Sequence, residues 1–166
     1  MDAMTLRGNV EWEISRDGVV LRSGRSQNLV TQVGDQLYAE RGAAIASPPA
    51  TPTGMKLGTG GGSASKSGAG AALTTYLANS HQAFDATYPQ SALSGSARRI
   101  TYVCTFAAGK ATSAIPITEA VIVNAALTDA TSAAAATISR SLLTGIGSKG
   151  AGETLTVTWT HDLMGG

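Results

Sequence analysis

The sequence predicts a mainly β chain, an antiparallel β-sandwich of jelly-roll-like type with one short α-helix near residues 29–41 and long Gly/Ala/Ser/Pro loops. Three observations carry this. From Glu153 to Asp162, Leu155, Val157 and Trp159 alternate with Thr154, Thr156, Thr158 and Thr160. Successive strand side chains point to opposite faces, so the run buries Leu, Val and Trp and lines its other side with hydroxyls. Second, Asp17-Gly18 separates two alternating runs and supplies the positive φ angles of a tight hairpin turn. Third, turn signals recur between about seven such segments, the cadence of a sandwich or barrel. The 166 residues form one domain, 1–166, long enough to bury a core without disulfides or metal.

Taken in order, Val10, Trp12 and Ile14 alternate with Glu11, Glu13 and Ser15, and Val19 to Leu21 resumes after the turn, giving an N-terminal hairpin over about residues 9–24. Asn28 is a candidate N-cap before Leu29, Val33 and Leu37, which lie four apart on one helical face, and Gly42 ends that run. Residues 43–54 are a loop, because Pro48, Pro49 and Pro52 exclude helix and central strand. Met55-Lys56-Leu57 is a short strand. Residues 58–70 are nearly all Gly, Ser, Ala and Thr, too poor in apolar anchors to order alone, and so are mobile or held by neighbouring chains. Ala71 to Asn79 is a turn or two of helix, and about 80–97 a long connection. Ile100 to Phe106 alternates as a strand that Gly109 closes. Ile115 to Asn124 follows, with Pro116 suited to a strand start or edge. Ala133 to Leu143 reads as strand despite its alanines, and Gly145 to Gly152 turns the chain into the closing threonine run.

The surface is unusual in its composition. Charged residues are only 14% and aromatics 5%, with 20 glycines and 43% hydrophobic residues. Free monomers carry about a quarter charged residues, so a surface this neutral suits a protein that is covered by others. The net charge is +1, from 12 basic and 11 acidic residues that are scattered, which gives no field for nucleic acid or anionic membranes. No stretch approaches the roughly 18 apolar residues of a membrane span, and the amino terminus lacks a signal-peptide core. Cys104, inside an apolar run, reads as a small buried hydrophobe.

Motifs for chemistry are weak. Gly60 to Ser67 (GGGSASKS) nearly matches the phosphate-cradling loop G-x-x-x-x-G-K-[ST], but Ser65 stands where glycine is needed and no parallel sheet is evident. His81 with Asp85, and His161 with Asp162, lack metal-ligand spacing and read as surface polar residues. No serine sits in a Gly-x-Ser-x-Gly elbow. The chain is therefore expected to be neither an enzyme nor a holder of cofactor or metal. Arg98 and Arg99 reach a partner's carboxylates or protect a sheet edge. The Thr156 and Thr158 face is a solvated sheet or a subunit contact.

Four motifs in order resemble a group of tailed-bacteriophage virion structural proteins: Asn28-Leu29-Val30-Thr31 with Gly34; Met55 to Gly60 before a small-residue loop and Leu73; Ile117-Thr118-Glu119-Ala120 with Asn124; and Glu153 to Thr160. The opening hairpin is similar too. The resemblance implies a β-sandwich module serving as a capsid decoration (cement) protein or as a tail or fibre component, with no catalytic residues. It departs at Gly61-Gly62 with lysine following, and at His161-Asp162 in place of an apolar strand end.

The expectation is a capsid decoration protein, a homo-oligomer (trimer or dimer), made in the host cytoplasm and located in the virion on the major capsid protein lattice. A tail, baseplate or fibre-attachment component is the alternative, and a receptor- or glycan-binding module using Tyr76, Phe84 and Tyr88 comes last. The expected interface residues are Pro48, Pro49, Lys66, Arg98, Arg99, Thr156 and Thr158, with the 43–53 and 58–70 loops and the amino-terminal arm. Deleting Gly60 to Ser67 is expected to leave a folded monomer.

Overall fold

Asp17 (φ 52) and Gly18 (φ 77) take the left-handed angles that a two-residue hairpin turn requires. In the computed structural model, which describes residues 5–164, this turn joins β1 (Thr5–Arg16) to β2 (Val19–Val30). β2 runs further than predicted because it changes partner: up to Gln27 it pairs with β1, and Asn28, Leu29 and Val30 then pair with β8 (Thr137–Leu142). Asn28 is thus a strand residue, which corrects its assignment as N-cap. Thr31 caps α1 (Gln32–Gly42) instead, its hydroxyl accepting from Gly34 N at 3.1 Å. Leu37 buries the inner side of the helix.

The remaining strands are β3 (Gly54–Gly58), β4 (Gln82–Ala83), β5 (Gln90–Ser94), β6 (Ala97–Phe106), β7 (Glu119–Val123) and β9 (Thr154–Met164). They form one antiparallel sheet in the order β4-β3-β7-β8-β2-β1-β9-β6-β5. The mainly-β class and, among the described residues, the single α-helix are as predicted, with nine strands in one curled sheet there where about seven were expected. The curl brings Val10, Trp12, Ile14, Tyr102, Phe106, Val157 and Trp159 of one half against Met55, Leu57, Ile122 and Ile138 of the other in a single core. Near the rim Asp85 N donates to Val103 O (2.8 Å), so the chain just after β4 binds β6 and draws the two ends of the sheet together.

Four local expectations are corrected. Ala71 to Asn79 holds no α-helix, only the end of a 3-10 turn (Gly68–Ala71) and a bridge from Tyr76 to Gly58. The 80–97 connection contains β4 and β5. Ala134–Ala136 is a 3-10 turn, because the ladder to β7 ends at Thr137 and leaves the alanines no partner strand. β6 begins at Ala97 and takes in Arg98 and Arg99, and β5 covers its flank, so neither arginine protects an edge. Pro116 precedes β7, which runs centrally between β3 and β8.

Candidate functional site

Directly opposed residues of paired strands share a face. On the outer side of the β1–β9–β6 region the rows read Arg25, Glu11, Thr158, Val103 and Ser23, Glu13, Thr156, Thr105. Glu11, Glu13, Ser23, Arg25, Thr156 and Thr158 line a shallow open groove of about 540 Å³. Thr156 and Thr158, predicted from the alternation alone, therefore lie together on an uncovered face and are half-buried. At its end Arg99 grips Asp162 through two bonds, Nε to Oδ1 at 2.7 Å and Nη2 to Oδ2 at 2.8 Å. That fork holds the Asp162 carboxyl below its usual range, and it means that Arg99 already has its carboxylate within the chain. Arg98 is exposed.

The outer side of β3, β7 and β8 is the reverse. Lys56, Val121 and Arg140 form one row across these strands, all buried under the loops 59–80 and 124–133. Arg140 pairs with Glu119 at 2.6 Å, both side chains fully buried. The guanidinium also donates to the carbonyls of Gly62 (2.7 Å), Ser63 (3.2 Å) and Gly70 (2.8 Å). Glu119 Oε1 accepts from the amides of Gly60 (3.1 Å), Thr74 (2.9 Å) and Thr75 (2.9 Å). The 58–70 loop thus has polar anchors within its own chain, which corrects the expectation that it is either mobile or held by neighbouring chains. Lys56 donates to Ala130 O at 2.7 Å and lies over the Tyr76 ring, and burial lowers its pKa. A small apolar cluster of Leu73, Val121 and Val123 seals the layer.

This geometry also disposes of the phosphate-loop resemblance in Gly60 to Ser67. Gly60 N serves Glu119, Ser65 N serves Gly70 O (2.9 Å), and Lys66 is paired with Asp35 in the first turn of α1. Pro48 and Pro49 are half-buried, Pro49 O accepting from Arg41 at 3.0 Å. Of the amino-terminal arm, residues 1–4 lie outside the described residues and the rest is β1. Tyr76 bonds Asp129 (2.9 Å) and Phe84 packs on Tyr102 (5.1 Å between ring centres), so these two do not form an exposed platform with the half-buried Tyr88.

A third polar cluster lies inside. His161, expected at the surface, continues the buried face of Leu155, Val157 and Trp159 with no exposed area. In register, Asn28, Gly8 and His161 lie side by side on β2, β1 and β9, and a Cβ on Gly8 would stand 1.8 Å from Asn28 Oδ1. The missing side chain lets Asn28 Nδ2 reach across β1 to His161 Nε2 at 2.9 Å. Nε2 accepts that bond, so Nδ1 carries the proton and donates to Tyr38 Oη (2.6 Å), which in turn lies 2.8 Å from Tyr102 Oη. Burial depresses His161 to a pKa of about 3 and keeps it neutral. The cluster fastens α1 to β9. Cys104 is buried as expected, and burial pushes its thiol up.

Sequence reasoning missed Glu119, Arg140 and His161 as organising residues. The available signal was a charge inside an apolar run, Glu119 in Ile117–Val123 and Arg140 in Ile138–Leu143, since a buried charge requires a partner. Among the described residues no group of three or more His, Cys, Asp or Glu is placed to hold a metal, and no helix is long and apolar enough to cross a membrane. No family model, curated protein or solved structure matches the chain.

Proposed function

We propose that this protein is a non-enzymatic structural component of a tailed-bacteriophage particle, a decoration protein that lays its open β face on the assembled major capsid lattice. The single observation that carries the reading is the uncovered face of β1 and β9, with its threonine and glutamate rows and open groove. Such a face offers many hydrogen bonds, from threonine hydroxyls and from the charged Glu11, Glu13 and Arg25. The resemblance supplies the partner. Its motifs fall where this fold is made: Asn28–Thr31 joins β2 to α1, Met55–Gly58 spans most of β3, Glu119 anchors the covering loop, and Glu153–Thr160 forms most of β9. Gly34 has the Ile138 carbonyl 2.3 Å from where a Cβ would be.

A protein that binds only the assembled shell stabilises it by mass action, and repetition over many sites adds avidity. The test is co-sedimentation of the purified chain with assembled heads, with unassembled capsid protein and with isolated tails. Binding to heads alone is expected. Binding to tails alone would make it a tail or baseplate component, and binding to none of the three would remove the reading.

A further inference from the structure

Every strand of the curled sheet except those at its ends has a neighbour on both sides, and the β4 end is drawn onto β6 by Asp85. Among the described residues that leaves β5 (Gln90–Ser94) as the exposed edge. Proteins blunt such edges with charge, proline, bulges or a covering loop, because an open row of amides and carbonyls templates another strand. β5 has none of these within it. Its residues are Gln90, Ser91, Ala92, Leu93 and Ser94, and no charged residue occurs from Ala86 to Ala97. Leu93 is 77% exposed, the most exposed large hydrophobic side chain of the described residues.

The geometry points to a second copy of this chain as the occupant, paired antiparallel through β5 about a two-fold axis at Ala92. The turn fixes which groups are free. Gly95 (φ 62) and Ser96 link Ser94 to Ala97 in a two-residue loop, whose closing pair is hydrogen-bonded. Antiparallel pairs alternate, so Ser94, Ala92 and Gln90 turn their backbone groups toward β6, and Ser91 and Leu93 turn theirs outward. A two-fold at Ala92 sets Ser91 of each copy opposite Leu93 of the other, outward groups facing outward groups, which closes four backbone hydrogen bonds. In the same register the two exposed leucines become diagonal neighbours and cover one another.

Charge permits the pairing. The nearest charges, Arg98 and Arg99, lie one strand inward, so three strand spacings of about 4.8 Å each, roughly 14 Å, separate each from its copy, beyond a Debye length at physiological salt. The open face of β1 and β9 stays free, so this contact and the proposed lattice contact are separate surfaces. The pairing does not depend on the phage reading.

The test uses the full chain with Ala92→Cys. Opposed Cα atoms at a non-hydrogen-bonded antiparallel position are about 4.5 Å apart, within disulfide reach. Mild oxidation is expected to link Ala92→Cys at least about tenfold faster than Val19→Cys, an equally small change at a 63% exposed position elsewhere, because pairing raises the local thiol concentration. Adding Leu93→Lys, which places like charges in the register, should return the rate to that of Val19→Cys with circular dichroism unchanged. Equal rates for the two cysteine variants would overturn the proposal, and so would a fast rate that survives Leu93→Lys. The same result is read whether or not the chain binds heads, so its failure is separate from failure of the proposed function.

Discussion

On the outer side of β1 and β9 the side chains are Glu11, Glu13, Thr156 and Thr158, and among the described residues no loop crosses them; on the outer side of β3, β7 and β8 they are Lys56, Val121 and Arg140, and a loop layer hides them. One sheet thus carries two kinds of polar surface. On the open face charge sits in water, where a pair such as Arg99–Asp162, 41% and 25% exposed, adds about 1 kcal/mol or less. On the covered face Arg140–Glu119 is desolvated entirely, and both Nη atoms of Arg140 and the Glu119 carboxylate are bonded, largely to loop backbone, while Arg140 Nε has no partner. The difference teaches that the Gly/Ser-rich loop is part of the folded layer, whereas the threonine rows contribute little to folding and remain available for contact.

The sharpest way to break this contrast is Arg140→Met. It strands Glu119 and frees the carbonyls of Gly62, Ser63 and Gly70, and should cost about 3–5 kcal/mol in urea unfolding, with faster amide exchange across 60–75. Replacing both partners, Glu119→Leu with Arg140→Met, removes the charges yet still orphans the amides of Gly60, Thr74 and Thr75. Stability is therefore expected to stay well below that of the parent chain. For the same reason deleting Gly60 to Ser67 should destabilise the domain.

Next in size is a control that belongs to neither face. His161 holds a pKa of about 3 when folded against 6.5 ordinarily. Between those values the unfolded chain binds a proton that the folded chain does not, so stability falls as pH drops, by about 1.4 kcal/mol per pH unit. His161→Leu should flatten the slope between about pH 6.5 and 4.5. The slope below that should remain, because Glu153 and Asp162 are held low by their hydrogen bonds to Gly150 N and Arg99 and lose their stabilising charge only in stronger acid.

The smallest effects on stability are expected on the open face. Arg99→Ala should cost under about 1 kcal/mol in thermal unfolding. Thr156→Lys with Thr158→Lys should shift stability by no more than about 0.5 kcal/mol while abolishing co-sedimentation with assembled heads. A large loss of stability from that pair would show that the open face is structural and would erase the contrast.

The open face was legible because its pattern is local. A period-two run such as Leu155 to Thr160 states its own geometry, and Asp17-Gly18 states its turn. The covered face was not, since its content is long-range: Glu119 and Arg140 are 21 residues apart and meet loop atoms up to 78 residues away. Asn28 misled for the same reason. It has the chemistry of a cap, but pairing with β8 keeps it in the strand, and Gly8 opens the path that directs it to His161. Likewise the Ala133–Ala136 run took its form from where the β7 ladder ends, a fact that no window of sequence contains.

Carboxyl footprinting of the chain free and bound to assembled heads bears most directly on the contrast. Glu11 and Glu13 stand on the open face, while Asp35, beside Lys66, and Asp129 stand on the other side with side chains 42% and 55% exposed. Loss of labelling at Glu11 and Glu13 with Asp35 and Asp129 unchanged is the predicted result. Protection of Asp35 and Asp129 with Glu11 and Glu13 still fully reactive would contradict it.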